Sequence, residues 1–161
     1  MMYFVMAARM RVMDPNLSKV PVKDLQARIL DIYESLDREI AAAAPVCKAS
    51  GRCCRFAEYD HTLFLSHAEA ELLTSVGLPQ DSTINADTCP FQIDGLCTAR
   101  ERRPLGCRVY FCDPNYEGVG ERLSEKYIAR LKQAHQETET PWHYAPLVIH
   151  LRAYVEGGGG A

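Results

Sequence analysis

Apolar residues recur every three or four positions in three stretches of the chain, and irregular, cysteine-bearing sequence separates them. Between Pro21 and Ala44 the apolar positions are Leu25, Ile29, Ile32, Leu36 and Ile40. That spacing places them on one face of a helix. Asp24, Glu34, Asp37, Arg38 and Glu39 fall mostly off that face. The run "AAAA" continues the helix, and Pro45 ends it, because proline disfavours a helical residue before it. From Gly120 to Glu137 the same spacing returns with Leu123, Tyr127, Leu131 and Ala134. A shorter third stretch carries Leu147, Leu151 and Tyr154, with Pro146 placed to open a helix.

The stretch between the first two helices has its own punctuation. "YDHTLFLS" reads as a short strand. Ser66 with Glu69 three residues later has the form of a capping box. The spacing then predicts a helix over 68–76 with Gly77 as its C-terminal stop. "LPQDSTINAD" is a polar connection, and 89–112 reads as irregular apart from a hairpin over 91–98 turning at Asp94-Gly95. The expected fold class is mainly α with minor β: one small domain, 21–156, of helices around an irregular cysteine-rich core. Residues 1–20 are expected to be a frayed or lightly docked tail, since no positive charge precedes their short apolar run as in a secretory signal. The glycine-rich end, 157–161, is expected to be flexible.

Composition narrows the function. The chain has 161 residues, 47% hydrophobic and 24% charged, with a formal net charge of -3. These are the proportions of a globular domain. The charge gives no electrostatic case for nucleic acid or an anionic membrane, and no apolar run approaches the roughly 18 residues that span a bilayer. Seven cysteines are too few for a disulfide scaffold and odd in number. In a reducing, cytoplasmic setting, clustered cysteines are metal ligands or redox thiols.

The cysteines fall in two segments, as Cys47-x5-Cys53-Cys54 and then Cys89-x7-Cys97 with Cys107-x4-Cys112. All seven are candidate metal ligands. The absence of a CxxC pair argues against a zinc ribbon or a thioredoxin-like site, and the spacings are not those of ferredoxins. Neighbouring side chains on a strand or helix diverge, so the Cys53-Cys54 doublet either serves more than one metal atom or supplies one ligand and one packed thiol. Lys48, Arg52, Arg55, Arg100, Arg102, Arg103 and Arg108 lie within a few residues of a cysteine and suit the charge of a thiolate site. A strict hairpin puts Gln92 opposite Cys97 and turns Cys89 to the other face. Pro90 works against a regular strand there. Whether Cys89 and Cys97 share a metal is left open by the pattern.

The segments "CKASGRCC", "CPFQIDGLC" and "RPLGCRVYFC" resemble the CxxCxxCC family of bacterial and archaeal cysteine-cluster proteins, described as a zinc- or iron-chelating domain. The resemblance covers 47–112. It implies that Cys47, Cys53, Cys54, Cys89, Cys97 and Cys107 are the ligands, and that Arg103, Pro104 and Arg108 match the family's Arg-Pro and Cys-Arg elements. Ser50 stands where the family has its second cysteine, and Cys112 is outside the general pattern. A flagellin lysine methylase resembles the family through a similar cluster, which implies an iron–sulfur centre.

Other chemistry is thinner. His61, His67, His135, His143 and His150 are read first as exposed or satisfied side chains. Trp142 and Tyr144 read as an anchor for the last helix. Glu58, Asp60 and Glu69 lie near the cluster without acid–base spacing. Cys53 or Cys54 beside Arg52 and Arg55 has no evident catalytic partner. The expectation is a zinc- or iron-binding protein, more a binding domain than an enzyme on its own. The alternatives are an iron–sulfur-dependent redox or methyl-transfer-associated enzyme, for which no glycine-rich nucleotide loop is present, and a metal-free thiol redox protein.

Overall fold

The computed structural model describes residues 22–158; the tail expected at 1–20 and most of the glycine-rich end lie outside them. Among the described residues there are α-helices α1 (Val22–Ala43), α2 (His67–Thr74), α3 (Leu105–Arg108), α4 (Val119–Glu137) and α5 (Leu147–Glu156). Two small antiparallel sheets accompany them: β1 (Phe64–Ser66) with β4 (Tyr144–Pro146), and β2 (Gln92–Ile93) with β3 (Leu96–Cys97). The fold is mainly α with minor β, as the periodicity predicts. Among the described residues no helix is long and apolar enough to cross a membrane.

Two apolar clusters organise the chain. In the first, α1 packs on α4: Leu25, Ile29, Ile32, Leu36 and Ile40 meet Leu123, Tyr127, Leu131 and Ala134. These are the positions that the helical spacing selects. Polar contacts fasten the seam where it meets solvent, with Tyr127 donating to Glu39 at 2.7 Å and Arg130 to Ser35 at 3.0 Å. The second cluster gathers Phe56, Leu63, Leu65, Phe91 and Ala99 with Leu147 and Leu151 of α5. Helix α2 is shared: Ala68 and Leu72 face the first cluster, Ala70 and Leu73 the second. A short helix buried on two sides keeps only a narrow polar edge, here His67 and Glu71, which is why its pattern is less amphipathic than those of α1 and α4.

The capping box at the start of α2 is present, and it carries more than a cap. Glu69 accepts from the Ser66 N–H at 2.8 Å, while its own N–H donates to the Ser66 hydroxyl at 3.3 Å. The carboxylate is 1% exposed and also accepts from the Tyr33 hydroxyl of α1 at 2.7 Å and the Leu105 N–H of α3 at 3.0 Å. Burial and this carboxylate hold the Tyr33 hydroxyl well above its usual pKa, so it stays protonated and donates. Arg108 of α3 stacks over the Tyr33 ring at 4.3 Å and pairs with Asp37 at 2.6 Å. One buried carboxylate thus joins α1, α2 and α3.

Sheet β1–β4 is a pairing that the sequence does not announce. Tyr144 faces Ser66, Ala145 faces Leu65 and Pro146 faces Phe64. Pro146 then caps α5, as expected. Trp142 anchors α4 rather than the last helix: it stacks on Tyr144 at 5.3 Å and sits edge-on to the buried His135 at 4.9 Å.

Replacing Glu69 by glutamine leaves one acceptor oxygen for three donors and turns an NH2 group toward a buried N–H or hydroxyl. The expected loss is about 3 kcal/mol of folding stability, read as a lower urea midpoint with an unchanged slope. A midpoint within error of the parent would refute the carboxylate's role.

Candidate metal centre

The first cysteine segment is shaped by Gly51, whose φ of 69° is open to glycine and strained for other residues. It starts a single 3₁₀ turn, Arg52–Cys54, with the Cys54 N–H donating to the Gly51 carbonyl at 3.1 Å. Three residues per turn keep adjacent side chains from opposing each other, as they would in a strand. Accordingly the Cys53 and Cys54 sulfurs lie 3.8 Å apart. The Cys89 N–H donates to the Cys54 carbonyl at 2.8 Å, and Arg55 bridges Thr88, so the second segment is pinned to the first at once.

The hairpin turn forms at Asp94-Gly95, with φ of 50° and 79°, the positive pair of a type I′ turn. Gln92 faces Cys97 as the two-residue loop requires. Cys89 precedes this ladder, and the Gln92 N–H donating to its carbonyl at 3.1 Å makes a turn there. That turn removes the separation a strict hairpin imposes, and Cys54, Cys89 and Cys97 line the same cavity, with the Cys53 sulfur 3.8 Å from that of Cys54. The Gln92 amide also donates to the Gly51 carbonyl at 3.1 Å, tying hairpin to 3₁₀ turn. Pro104 opens α3, which brings in Cys107.

All seven cysteines line one cavity of about 80 Å³, together with Ser50. They are not equivalent. Cys54 and Cys89 are buried, Cys53, Cys97 and Cys107 are half-buried, and Cys47 is exposed. Cys112 is half-buried, with its sulfur 3.6 Å from the Ser50 hydroxyl. Ser50 therefore stands on the cavity wall.

Electrostatics separates the thiols further. The contact with Cys54, helped by Arg103, lowers the pKa of Cys53 to about 6, and the contact with Cys54 does the same for Cys97, helped by Arg103 and Arg100. Cys54 is pushed up by its contacts with Cys53, Cys89 and Cys97. Desolvation, then Cys89 and Cys53, push Cys107 up as well. Of the basic residues near the cysteines, Lys48, Arg52, Arg100 and Arg103 line the cavity. Arg55 instead pairs with Glu58 at 2.8 Å, and Arg108 braces the loop before α3 through the Arg103 and Glu101 carbonyls at 2.8 Å each.

A single tetrahedral zinc with four thiolates sets its sulfurs about 3.8 Å apart. Among the described residues, the group of three or more His, Cys, Asp or Glu whose ligand atoms all lie within 4.8 Å of one another is His67, His143 and His150. The sulfurs form no such group of three, although Cys53 and Cys54 stand at the zinc spacing. Helix α2, the residue before strand β4 and helix α5 bring these three histidines together, and no short motif signals it. His61 and His135 stay apart from them: His61 stacks on Tyr110 at 5.4 Å, and His135 contacts the Pro141 carbonyl at 3.2 Å. Burial lowers the pKa of His150. Comparison of the chain with protein-family models, curated proteins and solved structures returns no match.

A Cβ at Gly51 collides with the Gln92 amide and approaches the Gly95 carbonyl to 3.0 Å, on top of the strained φ. Gly51→Ala is expected to lower the metal content of the purified protein at least severalfold while α1 and α4 keep their helical signal. Full metal content in this variant would show that the 3₁₀ turn does not set the ligand positions.

Proposed function

We propose that the chain is a metal-binding domain in which the thiolates of Cys53, Cys54, Cys89, Cys97 and Cys107 hold zinc or iron, and that an iron–sulfur centre is the better fit. The carrying observation is the convergence of buried and half-buried thiols from two distant segments on one cavity lined by Arg100 and Arg103. Thiolates are soft ligands that select zinc and iron–sulfur clusters, and the guanidinium groups offset their negative charge. Among the described residues no three of the sulfurs all lie within 4.8 Å of one another, which favours several metal atoms over one. Cys47 and Cys112 stand at the margins as further ligands, with Ser50 beside Cys112.

When bound, such a centre supplies one-electron chemistry or a purely structural cross-link. The resemblance of 47–112 to the CxxCxxCC family belongs to this same reading. A reducing, cytoplasmic compartment suits free thiols. With a net charge of -3, neither nucleic acid nor membrane enters as a partner.

Anaerobic purification followed by elemental analysis and visible absorption tests the reading. The expected result is iron with a broad visible band, lost in Cys97→Ser. Colourless protein carrying zinc on these thiols would make it a zinc domain. Metal-free protein with cysteines cycling through disulfides would overturn metal binding in favour of thiol redox chemistry.

Chelation is expected to act locally. Residues 47–63 and 75–104 hold little regular structure, whereas most helical residues belong to α1, α4 and α5. Removing metal should therefore speed amide exchange across 47–63 and 75–104 by orders of magnitude and leave α1 and α4 protected. Unchanged exchange over 47–63 and 75–104 would count against a metal that supports the fold.

A further inference from the structure

We infer that His67, His143 and His150 form a second, independent metal site, which binds a divalent zinc ion through three imidazoles and leaves a fourth position facing solvent. Their ligand atoms all lie within 4.8 Å of one another. The ring centroids are 5.2 to 6.4 Å apart with interplanar angles of 38°, 49° and 71°, so the rings converge at a tilt instead of stacking.

The fold fixes each ligand separately. His67 is the first residue of α2, and its N–H donates to the His143 carbonyl at 2.8 Å, continuing the β1–β4 pairing by one step. That bond locks two of the ligands side by side. His150 lies in the first turn of α5 and is 5% exposed. Its Nε2 meets the Leu65 carbonyl at 3.0 Å, which makes Nε2 the protonated nitrogen and leaves the Nδ1 lone pair free. A ligating histidine almost always has its other ring nitrogen held in this way. His67 has the same arrangement at its own Nε2, 3.2 Å from the Glu71 carboxylate.

The donor set defines the ion. Three imidazoles suit zinc, copper and nickel and disfavour magnesium and calcium, which take oxygen ligands. Three protein ligands with an open position are the arrangement in which zinc keeps a water or other exchangeable ligand. Here His67 and His143 are exposed, so that position opens outward. A cation there meets the positive end of α2, and the buried Glu69 carboxylate in the same helical turn offsets this.

The test uses the full-length protein equilibrated with excess zinc, desalted and analysed for metal per chain, with iron on the thiolates measured separately. His143→Ala and His67→Ala, both at exposed positions, are each expected to lose one zinc equivalent per chain while keeping the parent circular dichroism and iron content. Cys97→Ser is expected to retain that equivalent, so failure of the thiolate reading leaves this one standing. Equal zinc in the parent and both histidine variants would overturn the proposal, as would loss of the equivalent in Cys97→Ser alone.

Discussion

The Glu69 carboxylate is the constraint on which the arrangement rests. A charged group almost removed from water is tolerated only when its lone pairs are met. Here a phenol from α1, a backbone N–H at the start of α2 and a backbone N–H at the start of α3 meet them. Losing any one donor leaves desolvated charge behind, so the three elements hold their relative positions together. Helix α3 has only four residues and could not stand by itself. Glu69 at one end and Arg108 between Tyr33 and Asp37 at the other fix it against α1. Cys107 rides on that short helix, so the far wall of the cysteine cavity inherits its position from the buried carboxylate.

The remaining walls are set by backbone bonds instead of apolar packing. The Cys89 N–H on the Cys54 carbonyl, the Gln92 amide on the Gly51 carbonyl and the Arg55–Thr88 bridge join segments over thirty residues apart. Phe56, Leu63, Phe91 and Ala99 supply an apolar floor beneath them. Such a region has few regular hydrogen bonds of its own, and the metal proposed on thiolates from both segments would add the cross-link that secondary structure does not. The α1–α4 pair, packed through its own apolar seam, needs no such support.

The two histidine-bearing elements beside this region follow from a different constraint. Sheet β1–β4 has three residues a side, too short for independent stability. It holds because Leu65, Leu147 and Leu151 are buried beneath it and because the Leu147 N–H reaches the Leu63 carbonyl at 2.8 Å. The same pairing that closes the second apolar cluster sets His67 and His143 beside each other at its edge.

The sequence by itself determined the elements whose signals are local. Helical periodicity marks α1 and α4 to within about a residue at their ends, Ser66 and Glu69 mark the cap of α2, and Asp94-Gly95 marks the hairpin with Gln92 opposite Cys97. Each depends on residues a few positions apart, so one-dimensional pattern suffices. The tertiary structure alone decided what depends on contacts between distant residues. The 3₁₀ turn after Gly51 leaves the Cys53 and Cys54 sulfurs 3.8 Å apart, where a strand would set them on opposite faces. The Cys89 N–H bond to the Cys54 carbonyl sets both on the cavity that Cys97 also lines, and Ser50 is found on the wall beside Cys112. Glu69 reads from sequence as a cap and becomes a buried hub only when Tyr33 and Leu105 arrive. The three histidines carry no motif, because the β1–β4 pairing that gathers them joins residues some eighty positions apart.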